Sequence, residues 1–181
     1  MNAHKIKYIS TALYSYSAVD FNADLLRKIT IDDLLFIIHL NEDNKAVFRA
    51  AWALEHLLLQ DPQLLAKYQV NIKQVYLQTK NWSALRCISK LLISILQKKS
   101  ATNTTEIQGL LLDKTFDLLT HQDTPIAVRC NIYDLAFLLA QKEKWILSEL
   151  KTQIYFDLEK SPTPALKSRG KRMLQKLERI A

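Results

Sequence analysis

Four arginines, Arg49, Arg86, Arg129 and Arg169, stand 37, 43 and 40 residues apart, each near the start of a helix-patterned stretch. Aligned from five residues upstream, the segments begin Asn44-Lys-Ala-Val-Phe-Arg49, Asn81-Trp-Ser-Ala-Leu-Arg86, Thr124-Pro-Ile-Ala-Val-Arg129 and Pro164-Ala-Leu-Lys-Ser-Arg169. The next residue is small in every copy: Ala50, Cys87, Cys130 and Gly170. Leu54, Leu91 and Leu174 follow five residues after their arginines, and Asp134 is the exception. A small side chain at a fixed point of successive helices lets neighbouring helices pack at the short end of the usual interaxial range. Recurrence at about 40 residues with a helical pattern marks a chain built by stacking two-helix units.

The composition agrees with an all-α chain. There are 2 glycines and 4 prolines in 181 residues, too few turn formers for a sheet protein. At this length a compact fold buries roughly 70% of the unfolded surface, so one domain over 1–181 is the expectation. Its hairpin units are read as 31–60, 61–97, 104–141 and 143–181, preceded by an N-terminal helical cap over 1–30. Within them the expected helices are 31–40, 45–60, 62–79, 82–97, 105–120, 125–141, 143–160 and 163–180. Asp61 is a natural N-cap before Pro62 at the first helical position, where a missing N–H costs nothing. The polar run 98–105 is the best loop in the sequence.

Helix faces are legible too. Leu85, Ile88, Leu91, Leu92 and Ile95 make a wide apolar stripe, as suits a helix packed on two neighbours. In 125–141 the expected face is Ala127, Cys130, Tyr133 or Asp134, Phe137 and Ala140. Both sets read as core.

The stretch Thr124-Pro-Ile-Ala-Val-Arg129, preceded by Asp123, resembles the second helix of a HEAT repeat, with its Asp, Pro, Val, Arg and following small residue. The resemblance implies an armadillo-type superhelix in which Asp and Arg hydrogen-bond between successive units. Carried over, Asp43 and Asp123 lie six residues before their arginines and match, whereas Lys80 and Thr163 depart. From about 31 to 181 the chain is also similar to small bacterial HEAT-like proteins without an established activity, some of which carry an adenylosuccinate lyase label. That activity is not implied here. The lyases need a mobile loop containing Gly-Ser-Ser, and neither Gly109 nor Gly170 is followed by serine.

Other chemistries fail on their own terms. Two isolated glycines cannot build a phosphate loop. His4, His39, His56 and His121 contain no His-Glu-x-x-His pair, so no metal or cofactor is expected. Cys87 and Cys130 sit at the helix-packing position and read as buried thiols rather than nucleophiles. Glu55 and His56 are adjacent on a helix and diverge by about 100°, so they cannot act as an acid–base pair. No catalytic residue emerges, and a non-enzymatic protein is the expectation. The first residues lack the apolar core of a secretory signal, and no run approaches the roughly 18 apolar residues that span a bilayer; the expected compartment is the cytoplasm.

Charge is the remaining pointer. Residues 160–181 carry a net +6 of the chain's +7. The final helix, with Lys167, Arg169, Lys171, Arg172, Lys176 and Arg179, suits either a polar end to a solenoid or an anionic partner. Two functions follow. The first is a scaffold that binds a protein partner through the concave face of its inner helices, with Trp52, His56, Lys90, Arg172 and Lys176 as contacts. The second is DNA binding in the manner of the HEAT-like alkylpurine DNA glycosylases. For it Trp52, Trp82 and Trp145 would supply aromatic contacts, and Asp134 would be the carboxylate to test.

Overall fold

The computed structural model describes residues 2–98, 105–140, 144–160 and 163–179. The polar segment 99–104 and the Ser161-Pro162 link of the sequence reading lie outside these. Every regular element among the described residues is helical. The contacts divide the chain into two compact units, Met1–Ile95 and Leu96–Ala181.

The first unit holds α1 (Ala3–Ser15), a 3-10 turn (Ala18–Asp20), α2 (Ala23–Leu26), α3 (Ile31–Leu40) and α4 (Asn44–Gln60). It continues with α5 (Pro62–Lys67), α6 (Gln69–Gln78) and α7 (Trp82–Leu96, whose last residue falls past the boundary). Side chains fix where these helices start. The Thr30 hydroxyl accepts from the Asp33 N–H while Asp33 accepts from the Thr30 N–H, a reciprocal capping box for α3. Asp43 caps α4 through the N–H groups of Lys45 and Ala46, and Asp61 caps α5 ahead of Pro62. Helix α3 ends on Asn41 in the left-handed region, φ 52°, which asparagine tolerates better than most residues.

The expected helix over 62–79 is interrupted at Tyr68. Its backbone (φ −96°, ψ 9°) leaves helical geometry, and its hydroxyl donates to Asp32 on α3 at 3.1 Å. The N-terminal segment belongs to the core. Ile9, Leu13, Phe21, Leu25 and Ile29 are buried, α1 packs on α3 and α4, and Lys5 pairs with Asp33 at 2.7 Å.

The second unit holds α8 (Thr105–Thr120), α9 (Ile126–Leu139), α10 (Lys144–Lys160) and α11 (Pro164–Glu178). Helix α9 is central, packing on α8, α10 and α11. The expected face is matched only in part. Tyr133, Asp134 and Ala140 are buried as expected, but Ala127 is exposed and Cys130 and Phe137 are half-buried, while Val128, Ile132, Leu135, Ala136 and Leu139 add a core face outside the expected one. Surrounded on three sides, α9 has no single apolar stripe for periodicity to find. The small-residue position behaves as expected in α11. A Cβ on Gly170 would lie 3.2 Å from Ile154 Cγ2 and 3.4 Å from Leu158 Cδ2 of α10.

Candidate functional site

The repeat arginines sit on the second helix of each hairpin, and Arg49, Arg129 and Arg169 reach carbonyls or carboxylates. Arg49 Nε donates to the Leu13 carbonyl, in the last turn of α1, at 2.8 Å. Arg129 does the same for α8: Nη1 donates to the Leu119 carbonyl and Nη2 to the His121 carbonyl, both at 2.6 Å. The last carbonyls of a helix have no intrahelical partner and carry the negative end of its dipole, so a guanidinium is well matched to them. Arg129 also grips Asp157 of α10 at 3.0 and 3.1 Å. Arg169 pairs with Asp134 at 3.2 Å, and Arg86 is half-buried on α7.

The ladder carried over from the family pattern is not made by the residues expected of it. Asp43 is occupied in capping α4 and in accepting the Tyr14 hydroxyl, which holds its carboxyl below the usual carboxylate range. Asp123 is exposed, with its own N–H donated to His121 Nδ1. Asp43 stands at the entrance of α4, where capping claims its short side chain. Carboxylates deeper in the second helices supply the rungs instead. Glu55 of α4 accepts from Lys90 of α7 at 2.6 Å, and Asp134 of α9 meets Arg169 of α11 at 3.2 Å; each step spans 35 residues. Lys176 lies 3.9 Å from Asp134 and 5.5 Å from the Phe137 ring. Both carboxylates are buried, and Glu55 Oε2 is left without a hydrogen-bond partner.

Of the five candidate contacts, Trp52 and His56 are brought together. Their rings meet edge-on at 5.4 Å, Phe48 stacks on Trp52 at 6.0 Å, and the Arg49 guanidinium lies 4.9 Å from the Trp52 ring. Buried Phe21 of the N-terminal segment closes the other side, 5.1 Å from Trp52 and 5.7 Å from His56. His56 Nδ1 is 3.0 Å from the Trp52 carbonyl, which suits the tautomer protonated there. Phe48, Trp52 and His56 remain half-buried, a ridge at four-residue spacing along α4. Lys90 and Lys176 are held by Glu55 and Asp134, whereas Arg172 is exposed.

Sequence reasoning missed a second arrangement. Asp157 accepts from Arg129, from the Tyr133 hydroxyl at 2.7 Å and from Gln153 Nε2 at 3.1 Å. Burial, and then the hydrogen bond to Asp157, push the Tyr133 hydroxyl well above its ordinary pKa. This network floors a cleft of about 360 Å³ edged by Gln122, Phe156 and Lys160. The signal available was Asp157 itself, an acid inside the expected helix 143–160, but nothing in its spacing ties it to Arg129. Of the two thiols, Cys87 is buried as expected and Cys130 is only half-buried. Burial, followed by the hydrogen bond and charge of Glu55, pushes Cys87 up to about 12, and burial also raises Cys130.

Among the described residues no group of three or more His, Cys, Asp or Glu side chains could hold a metal ion, and no helix is long and apolar enough to cross a membrane. A family model for the HEAT repeat domain matches residues 26–177. No curated protein and no solved structure gives a significant match.

Proposed function

The chain belongs to the HEAT repeat domain family, and on that footing we propose that it is a non-enzymatic scaffold. It binds a protein partner through the second helices of its hairpins. One observation carries this reading: the half-buried Phe48–Trp52–His56 ridge of α4, backed by Arg49. Aromatic and arginine side chains that are already ordered lose little entropy on binding and dominate interface energies. Phe21 and the Leu13 carbonyl fix the ridge from behind, so it is presented rigid. The free thiols Cys87 and Cys130 suit a reducing compartment such as the cytoplasm. A photo-crosslinking residue placed at Phe48 or His56, and for comparison at Gln63 on α5, tests the assignment in native extract. Capture of one protein from both ridge positions and not from α5 is the expected result. Equal capture from all three, or none, overturns it.

Helix α11 supports a second reading, a nucleic-acid partner, because Lys167, Lys171, Arg172 and Arg179 are all exposed. In the glycosylase form of that reading Asp134 would be the reacting carboxylate, yet both its oxygens face cations of α11. Duplex binding that falls steeply with salt favours this reading, and absence of binding at low salt removes it. If a duplex binds, loss of base excision in Asp134→Asn distinguishes an enzyme from a passive binder, and excision that persists removes Asp134 as the reacting carboxylate.

A further inference from the structure

Helix α10 turns three aromatic rings to solvent, with Trp145 70% exposed, Phe156 53% and Tyr155 48%. The outward charge of the hairpin it forms with α11 is positive. Residues 160–181 carry a net +6; Arg169 and Lys176 face Asp134, and Lys160, Lys167, Lys171, Arg172 and Arg179 are exposed. The exposed acids of the two helices are Glu149, Glu159 and Glu178, because Asp157 is buried on Arg129. Contacts fix which side each group takes. On α10, Asp157 faces α9, while Ile154 and Leu158 face α11. At about 100° per residue, the turn that leads from the first of these sides to the second leads on to Tyr155, and then to Phe156 and Lys160. On α11, Arg169 and Lys176 face α9 and Gly170 faces α10, and the corresponding turn carries Lys167 and Lys171 beyond the α10 contact. Tyr155, Lys167 and Lys171 therefore share the side turned away from α9, near the end where α10 passes into α11. Phe156 and Lys160 stand round the corner from them, with Lys160 Nζ 5.6 Å from the Phe156 ring.

We propose that this corner binds a single-stranded nucleic acid, with bases stacked on Tyr155 and Phe156 and phosphates along Lys160, Lys167 and Lys171. This rests on the nucleic-acid reading of α11 and adds the form of the strand, at a site separate from the α4 ridge. Cations alone attract any polyanion, so it is the rings that select. Unpaired bases offer faces that stack on exposed aromatic side chains, whereas a duplex keeps its base faces inside and would leave both rings idle. A bilayer fits worse. Glu149 lies between Trp145 and Phe156 on one face of α10, and Glu159 lies between Tyr155 and Phe156 around the helix. Pressing the rings among acyl chains would drag these carboxylates out of water. A strand meets the rings one base at a time and leaves both acids hydrated.

Fluorescence anisotropy on the full chain, with a short labelled oligothymidylate and a duplex of the same length, is the test. The single strand is expected to bind about tenfold tighter than the duplex. Its affinity should fall with salt at a log–log slope of about −2, the value for three phosphate contacts. Tyr155→Ala and Phe156→Ala should each weaken binding about tenfold and leave that slope unchanged, since stacking on a ring releases no counterions. Lys167→Gln/Lys171→Gln should weaken binding and flatten the slope by about 1.4. All four positions are exposed, so the helical circular-dichroism signal is expected to stay the same in every variant. A duplex that binds as tightly as the strand overturns the single-strand assignment and leaves the nucleic-acid reading standing, whereas no binding of either at low salt removes both. Full affinity in Tyr155→Ala/Phe156→Ala, displacement of the strand by polyglutamate of equal charge, or capture by phosphatidylserine vesicles that depends on the same two rings would each overturn the proposal.

Discussion

The two glycines show how one residue type carries different burdens. Gly109 lies inside α8 with nothing within 4 Å of where a Cβ would stand, so nothing in the packing requires it. Gly109→Ala is therefore expected to stabilise the protein by roughly 0.5–1 kcal/mol, the usual gain from removing a helix-interior glycine. Gly170 has the same propensity penalty but sits where α11 meets α10, and a methyl there would push on Ile154, its nearest neighbour, which is wholly buried. Gly170→Ala should destabilise. Paired thermal melts that rank Gly170→Ala above the wild type would refute the close-approach reading of the small position. That position was legible because it recurs after each arginine. The partners of the arginines were not, since Arg49 finds a backbone carbonyl 36 residues back in the sequence and Arg129 a carboxylate 28 residues ahead.

Among the elements, α9 depends most on polar contacts. Arg129 is buried and ties two carbonyls at the end of α8 to Asp157 of α10, while Tyr133 supplies a further hydrogen bond to the same carboxylate. Arg129→Met strips the main counter-charge from a buried carboxylate and is expected to cost about 3–5 kcal/mol. Tyr133→Phe loses one hydrogen bond to a charged group and is expected to cost about 1.5–3 kcal/mol. Because both act on Asp157, their effects should not add, and urea titration of the two variants and their combination measures the coupling. The existence of these helices was readable from periodicity and from Asp61-Pro62 and Pro164. The break at Tyr68 was not, because it coincides with a contact to Asp32 that no local pattern encodes. The face of α9 was legible only in part for a related reason. Tyr133, Asp134 and Ala140 are buried where the spacing puts them, but a helix packed on three neighbours also buries Arg129, Asn131 and Ile132 on another side, and amphipathic spacing fades.

For the whole molecule the informative quantity is how ionisation limits the pH range of the fold. On the acid side, Asp20, Asp33 and Asp43 all have folded pKa values below their ordinary ones. Backbone and side-chain hydrogen bonds from Ser17 act on Asp20, and the Tyr14 hydroxyl and the α4 N–H groups on Asp43. Burial alone would raise Asp33, but Lys5 and Thr30 more than offset it. Groups depressed in this way stabilise above the unfolded carboxylate pKa of about 3.9, and that stability is lost as pH falls through the folded values. On the alkaline side the sign reverses. Cys87 is raised to about 12, so between the ordinary thiol pKa of about 8.5 and that value the unfolded chain releases a proton that the folded chain keeps. Its stabilisation is complete below the unfolded value and disappears as pH climbs through the folded one. Cys87→Ala isolates this limb, since alanine already fills the equivalent position in the first repeat as buried Ala50. Unfolding free energies from urea titrations at pH 7 and pH 11 should fall less for Cys87→Ala than for the wild type. An equal fall in both would mean that the thiolate reaches water in the folded state, and that the packed junction between α7 and Glu55 of α4 is open.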